Sequence, residues 1–211
     1  MSGASSRYKA VIYDCDGVMF DSMRANFAFY RSVMDHMELS LDWNDPEVIR
    51  IIHTYANREV MNHFFTDTQE REKAIRFAGT IDYRSLIPLM QMEAGFRNTL
   101  DELKGRVNLA VCTNRSTSMD AVLEGFGLAD YFSFVMTAAK STLPKPHPEP
   151  LLRILDHYGL RAEEALFVGD SAVDSQAASA ANVPFVAYKA DLPGMTRIDR
   201  HEEILSLILM G

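Results

Sequence analysis

The hydrophobic pattern begins with a short apolar run, residues 9–13, that stops abruptly at two carboxylates, Asp14 and Asp16, followed by Gly17. Its Val, Ile and Tyr residues without polar alternation predict a short strand buried on both faces. From about residue 22 to 95 the period changes. Met23, Phe27, Tyr30, Val33, Met34 and Met37 recur at helical spacing. Asp45-Pro46 reads as a helix start, with Asp as the cap and Pro at the first helical position. Val48, Ile49, Ile51 and Ile52 fill that helix. Further helices are expected near 57–65, 68–77 and 84–92, with no strand among them. Phe27, Phe64 and Phe65 are expected in the core of this bundle.

From Phe96 onward helices and strands alternate. Helices are expected over 96–104, 118–124, 150–158, 174–181 and 202–210, and strands over 108–112, 134–137, 165–168 and 184–188. Such alternation predicts an α/β fold with a parallel sheet wound on both faces. Ligands in such sheets sit beyond the carboxyl ends of the strands. Three strands end in polar residues there: Asp14 and Asp16, Thr113, and Gly169-Asp170. Two carboxylates at the end of a buried strand are costly unless a cation meets them, and a hard metal with oxygen ligands is the expected one.

Composition narrows the chemistry. The 211 residues are 47% hydrophobic and 24% charged, ordinary for a globular protein. The net charge of −8 argues against nucleic acid or an anionic membrane as a partner. The two cysteines fit no disulfide framework and no zinc spacing. No apolar run approaches the ~20 residues needed to span a bilayer. Residues 1–8 are expected to form a tail, and the N-terminus lacks the apolar stretch of a signal peptide. A cytoplasmic monomer or homodimer acting on a small molecule is therefore expected.

The stretch Asp14-Cys15-Asp16-Gly17-Val18-Met19-Phe20-Asp21-Ser22 resembles the first motif of the haloacid dehalogenase-like hydrolases. The second Asp places it with the phosphatase branch of that superfamily. Val111-Cys112-Thr113-Asn114-Arg115 resembles the second motif, Leu143 to Pro150 with Lys145 the third, and Gly169-Asp170-Ser171-Ala172-Val173-Asp174 the fourth. All occur in order. The resemblance implies a Rossmann-like core, residues 1–21 and 96–211, with a helical cap inserted over 22–95. It also implies Mg²⁺-dependent phosphoryl transfer through an aspartyl-phosphate on Asp14, in the manner of phosphoglycolate phosphatase-like members.

Within that frame Asp16 is the general acid–base, its pKa raised by the neighbouring carboxylate. Thr113 and Asn114 bind phosphate oxygens, and Lys145 neutralises the transferring group. Asp14, Asp170 and the backbone carbonyl of Asp16 are the expected metal ligands. Asp174 either supports the metal and Lys145 from behind or caps the following helix. Arg115 either reaches the substrate or is solvated. In related caps a loop carrying a glycine enters the site, and here that position is His53. Tyr55 and Arg58 either face the substrate or are exposed residues at a helix start. Cys15 and Cys112 are expected as small buried residues, with oxidative inactivation as the sharper alternative. The rival activities are a phosphomutase of the β-phosphoglucomutase type and a catalytically silent binding module on the same fold.

Overall fold

The computed structural model describes residues 7–209; of the run 9–13, residues 10–13 form the buried central strand, while Lys9 lies outside it, exposed and paired with Glu164. The elements in chain order begin with β1 (Ala10–Tyr13), β2 (Phe20–Asp21), α1 (Met23–His36), α2 (Pro46–Thr54), α3 (Asn57–Phe64), α4 (Thr68–Ala78) and β3 (Gln91–Met92). They continue with α5 (Phe96–Leu103), β4 (Asn108–Thr113), α6 (Met119–Gly125), β5 (Phe134–Thr137), α7 (Glu149–Tyr158), β6 (Ala165–Gly169), α8 (Ala172–Ala181), β7 (Phe185–Tyr188), β8 (Thr196–Ile198) and α9 (Glu203–Leu209). The tail expected over residues 1–8 falls mostly outside the described residues, as does the expected end of the last helix at Met210.

β1 is buried along its whole length and pairs in parallel with β4 on one side and β6 on the other. The sheet order is β5-β4-β1-β6-β7-β8, all parallel. Alternate residues of the central strands feed two cores. Val11, Tyr13, Val111 and Val168 pack with Phe96, Leu100, Val122 and Ile204 from α5, α6 and α9. Ala10, Ile12, Ala110 and Phe167 pack with Leu151, Ile154 and Ala177 from α7 and α8. Strands covered on both faces must be apolar throughout, which is why they read as continuous runs. The carboxyl ends of β1, β4 and β6 therefore lie side by side.

The helices α1 to α4 form a third apolar cluster of their own, with Tyr30, Val33, Met34, Ile51, Val60, Met61 and Phe65 at its centre and Phe27 and Phe64 against it. Asp45 caps α2 by accepting from the Glu47 N–H at 2.8 Å, with Pro46 at the first position. The sequence expectation fails at the end of this region. Residues 84–92 do not form a helix. Two 3₁₀ turns, Tyr83–Ser85 and Ile87–Leu89, are followed by β3, which pairs antiparallel with β2. Pro88 has no N–H to continue a helical ladder, and the two-residue strands are too short to show a period. β8 was also not foreseen, because only Ile198 of its three residues is buried.

The loop after β1 is tied down from the far end of the chain. His201 is fully buried just before α9, and its Nε2–H donates to the Val18 carbonyl at 2.9 Å. The ring stacks on Tyr188 with centroids 4.2 Å apart. Burial lowers its pKa from 6.5 to about 4. The unfolded chain thus takes up a proton between these two values while the folded chain does not, so stability falls as pH drops through that window. His201→Gln keeps a donor for Val18 but removes the titration. The gap in Tm between wild type and variant is expected to shift in favour of the variant from about pH 7 to about pH 5. Equal pH slopes would show that His201 titrates as freely folded as unfolded.

Candidate active site

The Asp14 N–H still donates to Val168 at 2.9 Å, continuing the ladder to β6, and the chain then turns away. The turn is tight: the N–H groups of Met19 and Phe20 both donate to the Cys15 carbonyl, at 3.0 and 3.1 Å. Gly17 has φ +74°, and a Cβ there would lie 1.9 Å from Asp170 Oδ2. Only glycine allows this backbone and lets the Asp170 carboxylate rest against it.

Lys145, 2% exposed, reaches in from the loop before α7. Its Nζ lies 2.8 Å from Asp14 Oδ1 and 2.6 Å from Asp174 Oδ1. Asp174 is also the partner of Ser171 in a capping box at the start of α8, accepting from the Ser171 N–H at 3.1 Å. Asp174 thus holds Lys145 and caps α8 at once. Carboxylate oxygens of Asp14, Asp170 and Asp174 lie within 4.8 Å of one another. Lys145 is the one cation paired with this trio among the described residues. Burial pushes the Asp14 carboxyl up to about 7, against the pull of Lys145 and with Asp174 adding to the push. Asp170 is raised well above its ordinary range by burial, then by Asp174 and Asp14. Hard oxygen donors that are short of positive charge fit a divalent cation such as Mg²⁺.

Asp16 departs from its expected state. Burial pushes its carboxyl up, but Arg115 and a hydrogen bond from Ser22 outweigh that, and its pKa lies below the ordinary value. The Arg115 Nη2 donates to Asp16 Oδ1 at 2.6 Å, and Asn26 Nδ2 donates to the same oxygen at 3.2 Å. Arg115 is neither solvated nor idle. It is buried, sits 4.7 Å over the Tyr83 ring, and donates to Ser118 Oγ at 3.2 Å. The sequence shows Arg115 next to Thr113-Asn114, but its partner is 99 residues away.

Thr113 ends β4, buried, with its Oγ1 accepting from the Arg115 N–H at 3.1 Å. Asn114 is a brace rather than a free binding group. Its Oδ1 accepts from the Lys145 N–H at 3.0 Å, and its Nδ2 donates to the Lys145 carbonyl at 3.0 Å and the Thr54 carbonyl at 3.1 Å. A cavity of roughly 670 Å³ opens between these residues and the helices, with Asp14, Asp16, Thr113, His53 and Tyr55 on its wall. His53 Nδ1 meets Asn26 Nδ2 at 3.1 Å. Arg58 does not line the cavity: it is exposed on α3 and pairs with Glu72 of α4 at 3.4 Å. Its place in the first turn of α3 turns it to the α4 side. Cys15 and Cys112 are buried, and burial raises both thiols, Cys112 to about 12. Burial disfavours the thiolate at both positions, in keeping with small buried strand residues.

A family model described as haloacid dehalogenase-like hydrolase matches residues 11–188. The phosphoglycolate phosphatase of Pectobacterium atrosepticum is 38% identical over 154 residues, a match spanning 67% of this chain and 63% of that protein, just under two thirds of its length. The phosphoglycolate phosphatase of Yersinia pseudotuberculosis is 31% identical over 191 residues, covering 84% of this chain and 79% of that protein. The crystal structure of a HAD-superfamily hydrolase, subfamily IA, variant 1, from Geobacter sulfurreducens PCA is 59% identical with a TM-score of 0.84, covering 95% of this chain and 100% of that chain.

Lys145→Met removes the cation from between two buried carboxylates and is expected to cost about 3–5 kcal/mol in metal-free buffer. Urea unfolding measures this. Adding Asp14→Asn should return part of the loss, because the two changes act on one cluster. An unchanged midpoint for Lys145→Met would mean that the carboxylates are protonated or hydrated rather than paired.

Proposed function

We propose that this chain, which belongs to the haloacid dehalogenase-like hydrolases, is a Mg²⁺-dependent phosphatase of small phosphorylated metabolites, of the phosphoglycolate phosphatase type. The observation that carries this is Lys145 fixed 2.8 Å from Asp14 at the carboxyl end of the central strand, beside the carboxylates of Asp170 and Asp174. A carboxylate held against an ammonium group is positioned to attack a phosphorus atom whose oxygens that ammonium neutralises.

The chemistry we infer has two steps. An Asp14 oxygen forms a bond to phosphorus as the ester P–O bond breaks, giving an aspartyl-phosphate and a leaving oxygen. Asp16, two residues on, supplies the proton that this oxygen takes. Water then attacks the phosphorus, Asp16 receives its proton, and Asp14 is released with inorganic phosphate. Thr113 and the backbone after it face the phosphate oxygens. Asp14, Asp170 and the backbone carbonyl of Asp16 would hold the Mg²⁺, with Asp174 behind them fixing Lys145. When bound, the ion supplies charge neutralisation for the transferring phosphoryl group. Residues 22–95 act as a cap over the core formed by 1–21 and 96–211, excluding water during transfer.

Hydrolysis of p-nitrophenyl phosphate is expected with Mg²⁺, to be abolished by EDTA, and to fall by about 10⁴-fold or more in Asp14→Asn. A panel of phosphoglycolate, sugar phosphates and nucleotides then orders the substrates. Phosphate moved between positions of one sugar, rather than released, would transfer the assignment to a phosphomutase. Absence of turnover across the whole panel with Mg²⁺ still bound would leave a binding module.

A further inference from the structure

The loop from Cys15 to Phe20 carries Asp16 and the Gly17 backbone on which the Asp170 carboxylate rests. Its own bonds close on one another: the Gly17 N–H donates to the Phe20 carbonyl at 2.9 Å, and the Met19 and Phe20 N–H groups donate to the Cys15 carbonyl. Two neighbouring carbonyls are held from outside the loop. Val18 accepts from His201 Nε2–H at 2.9 Å, and Met19 accepts from the Glu93 N–H at 3.0 Å. His201 stands 183 residues from Val18. Glu93 lies between β3 and α5.

These two outside holds are joined through Tyr188 at the end of β7. Its ring stacks on His201 with 20° between the planes, and its hydroxyl donates to Glu93 Oε2 at 3.1 Å. Lys189 Nζ lies 2.6 Å from the same oxygen. Phe96 packs against the His201 ring from α5, with centroids 4.8 Å apart. Glu202, next in the chain, sets its carboxylate against Gly95, where a Cβ would lie 2.0 Å from Oε1. The circuit runs from Val18 through His201, Tyr188 and Glu93 to Met19, and so closes on the loop. An imidazole is a costly filler for such a space. The His201 Nδ1 is buried with no hydrogen-bond partner, a loss that an apolar ring avoids. What the imidazole adds is the bond to Val18.

We propose, on the basis of the phosphatase activity assigned to this site, that His201 and Tyr188 are positioning residues for Asp16. Together with Glu93 they fix the loop from behind, and with it the distance from the Asp16 carboxyl to the leaving oxygen. Neither residue lines the cavity, so neither meets the substrate. Glu93 does line it, and the test leaves Glu93 unchanged. A loop held at one carbonyl instead of two shifts at its middle, where Asp16 sits. A displacement of about 1 Å at a reacting group can cost about 100-fold in rate. The loss falls on substrates whose leaving oxygen needs the proton.

The test uses the full chain with Mg²⁺ and reads kcat/KM for two substrates. One is the best alkyl monoester of the panel above, whose leaving alkoxide must be protonated. The other is p-nitrophenyl phosphate, whose leaving phenolate needs little protonation. His201→Phe keeps a ring and removes the donor. It is expected to lower kcat/KM for the alkyl monoester by about 10- to 100-fold and for p-nitrophenyl phosphate by less than about 3-fold. His201→Gln supplies a donor again and is expected to return the ratio of the two to within about 3-fold of wild type. Tyr188→Phe keeps the stack, loses the hydroxyl to Glu93, and is expected to shift the ratio the same way by about 3- to 10-fold. Equal loss on both substrates, or an unchanged ratio, in His201→Phe or in Tyr188→Phe overturns the proposal. Where His201→Phe does not fold, Tyr188→Phe decides by the same ratio. Wild-type turnover with no shift of ratio in the variants defeats this assignment alone, whereas no wild-type turnover of either substrate defeats the phosphatase assignment and this one with it.

Discussion

Everything at the carboxyl edge of the sheet is arranged around one buried ammonium. Lys145 lies between Asp14 at the end of β1 and Asp174 in the first turn of α8. These residues come from three separate stretches of chain, and each is held by a second contact. Asp14 continues the ladder to Val168, Asp174 closes the capping box with Ser171, and the Lys145 backbone is gripped on both sides by Asn114. Taking a charge out of water is tolerable only when its partners are fixed in place. The fold meets that condition by anchoring every partner to a strand end or a helix start. Charges left without such fixed partners would be too costly to bury here.

The same polar residues join the helical insertion to the sheet. Asn114 reaches the Thr54 carbonyl at the end of α2 while holding Lys145. Asn26 of α1 contacts Asp16, Arg115, His53 and the Tyr83 hydroxyl. The insertion has its own apolar core, so these contacts do not carry its folding. They fix where it sits over the carboxylates. Hydrogen bonds between two separately packed bodies, each worth about 1 kcal/mol, can open and reform without unfolding either.

Much of this was legible from the sequence, and the rest was hidden for two reasons. β1, β4 and β6 read plainly because strands buried on both faces are apolar throughout, and their polar endings stood out against that background. The Asp45-Pro46 helix start was legible because capping is local. β2, β3 and β8 were not, because two or three residues cannot show a period. Arg115 illustrates the other limit. Its identity and neighbours were visible, but its burial depends on an acid 99 residues away and on the Tyr83 ring. Arg58 shows the same limit: of its two expected places it takes the exposed one at the start of α3, and only its long-range partner Glu72 decides that.

Asp14 and Asp16 show how local charge decides what burial does. Both are withdrawn from water, yet burial prevails at Asp14 and is overcome at Asp16. The difference is one of cation sharing. Asp14 divides Lys145 with Asp174 and lies near Asp170, whereas Asp16 has the Arg115 guanidinium to itself. The same withdrawal from water thus has opposite results two residues apart. Positive charge added beside the Asp14, Asp170 and Asp174 trio would lower the first, and loss of the Arg115 contact would raise the second. The two carboxylates are thus set separately, the first by how much positive charge reaches the trio and the second by its hold on Arg115, although both lie at the end of one strand.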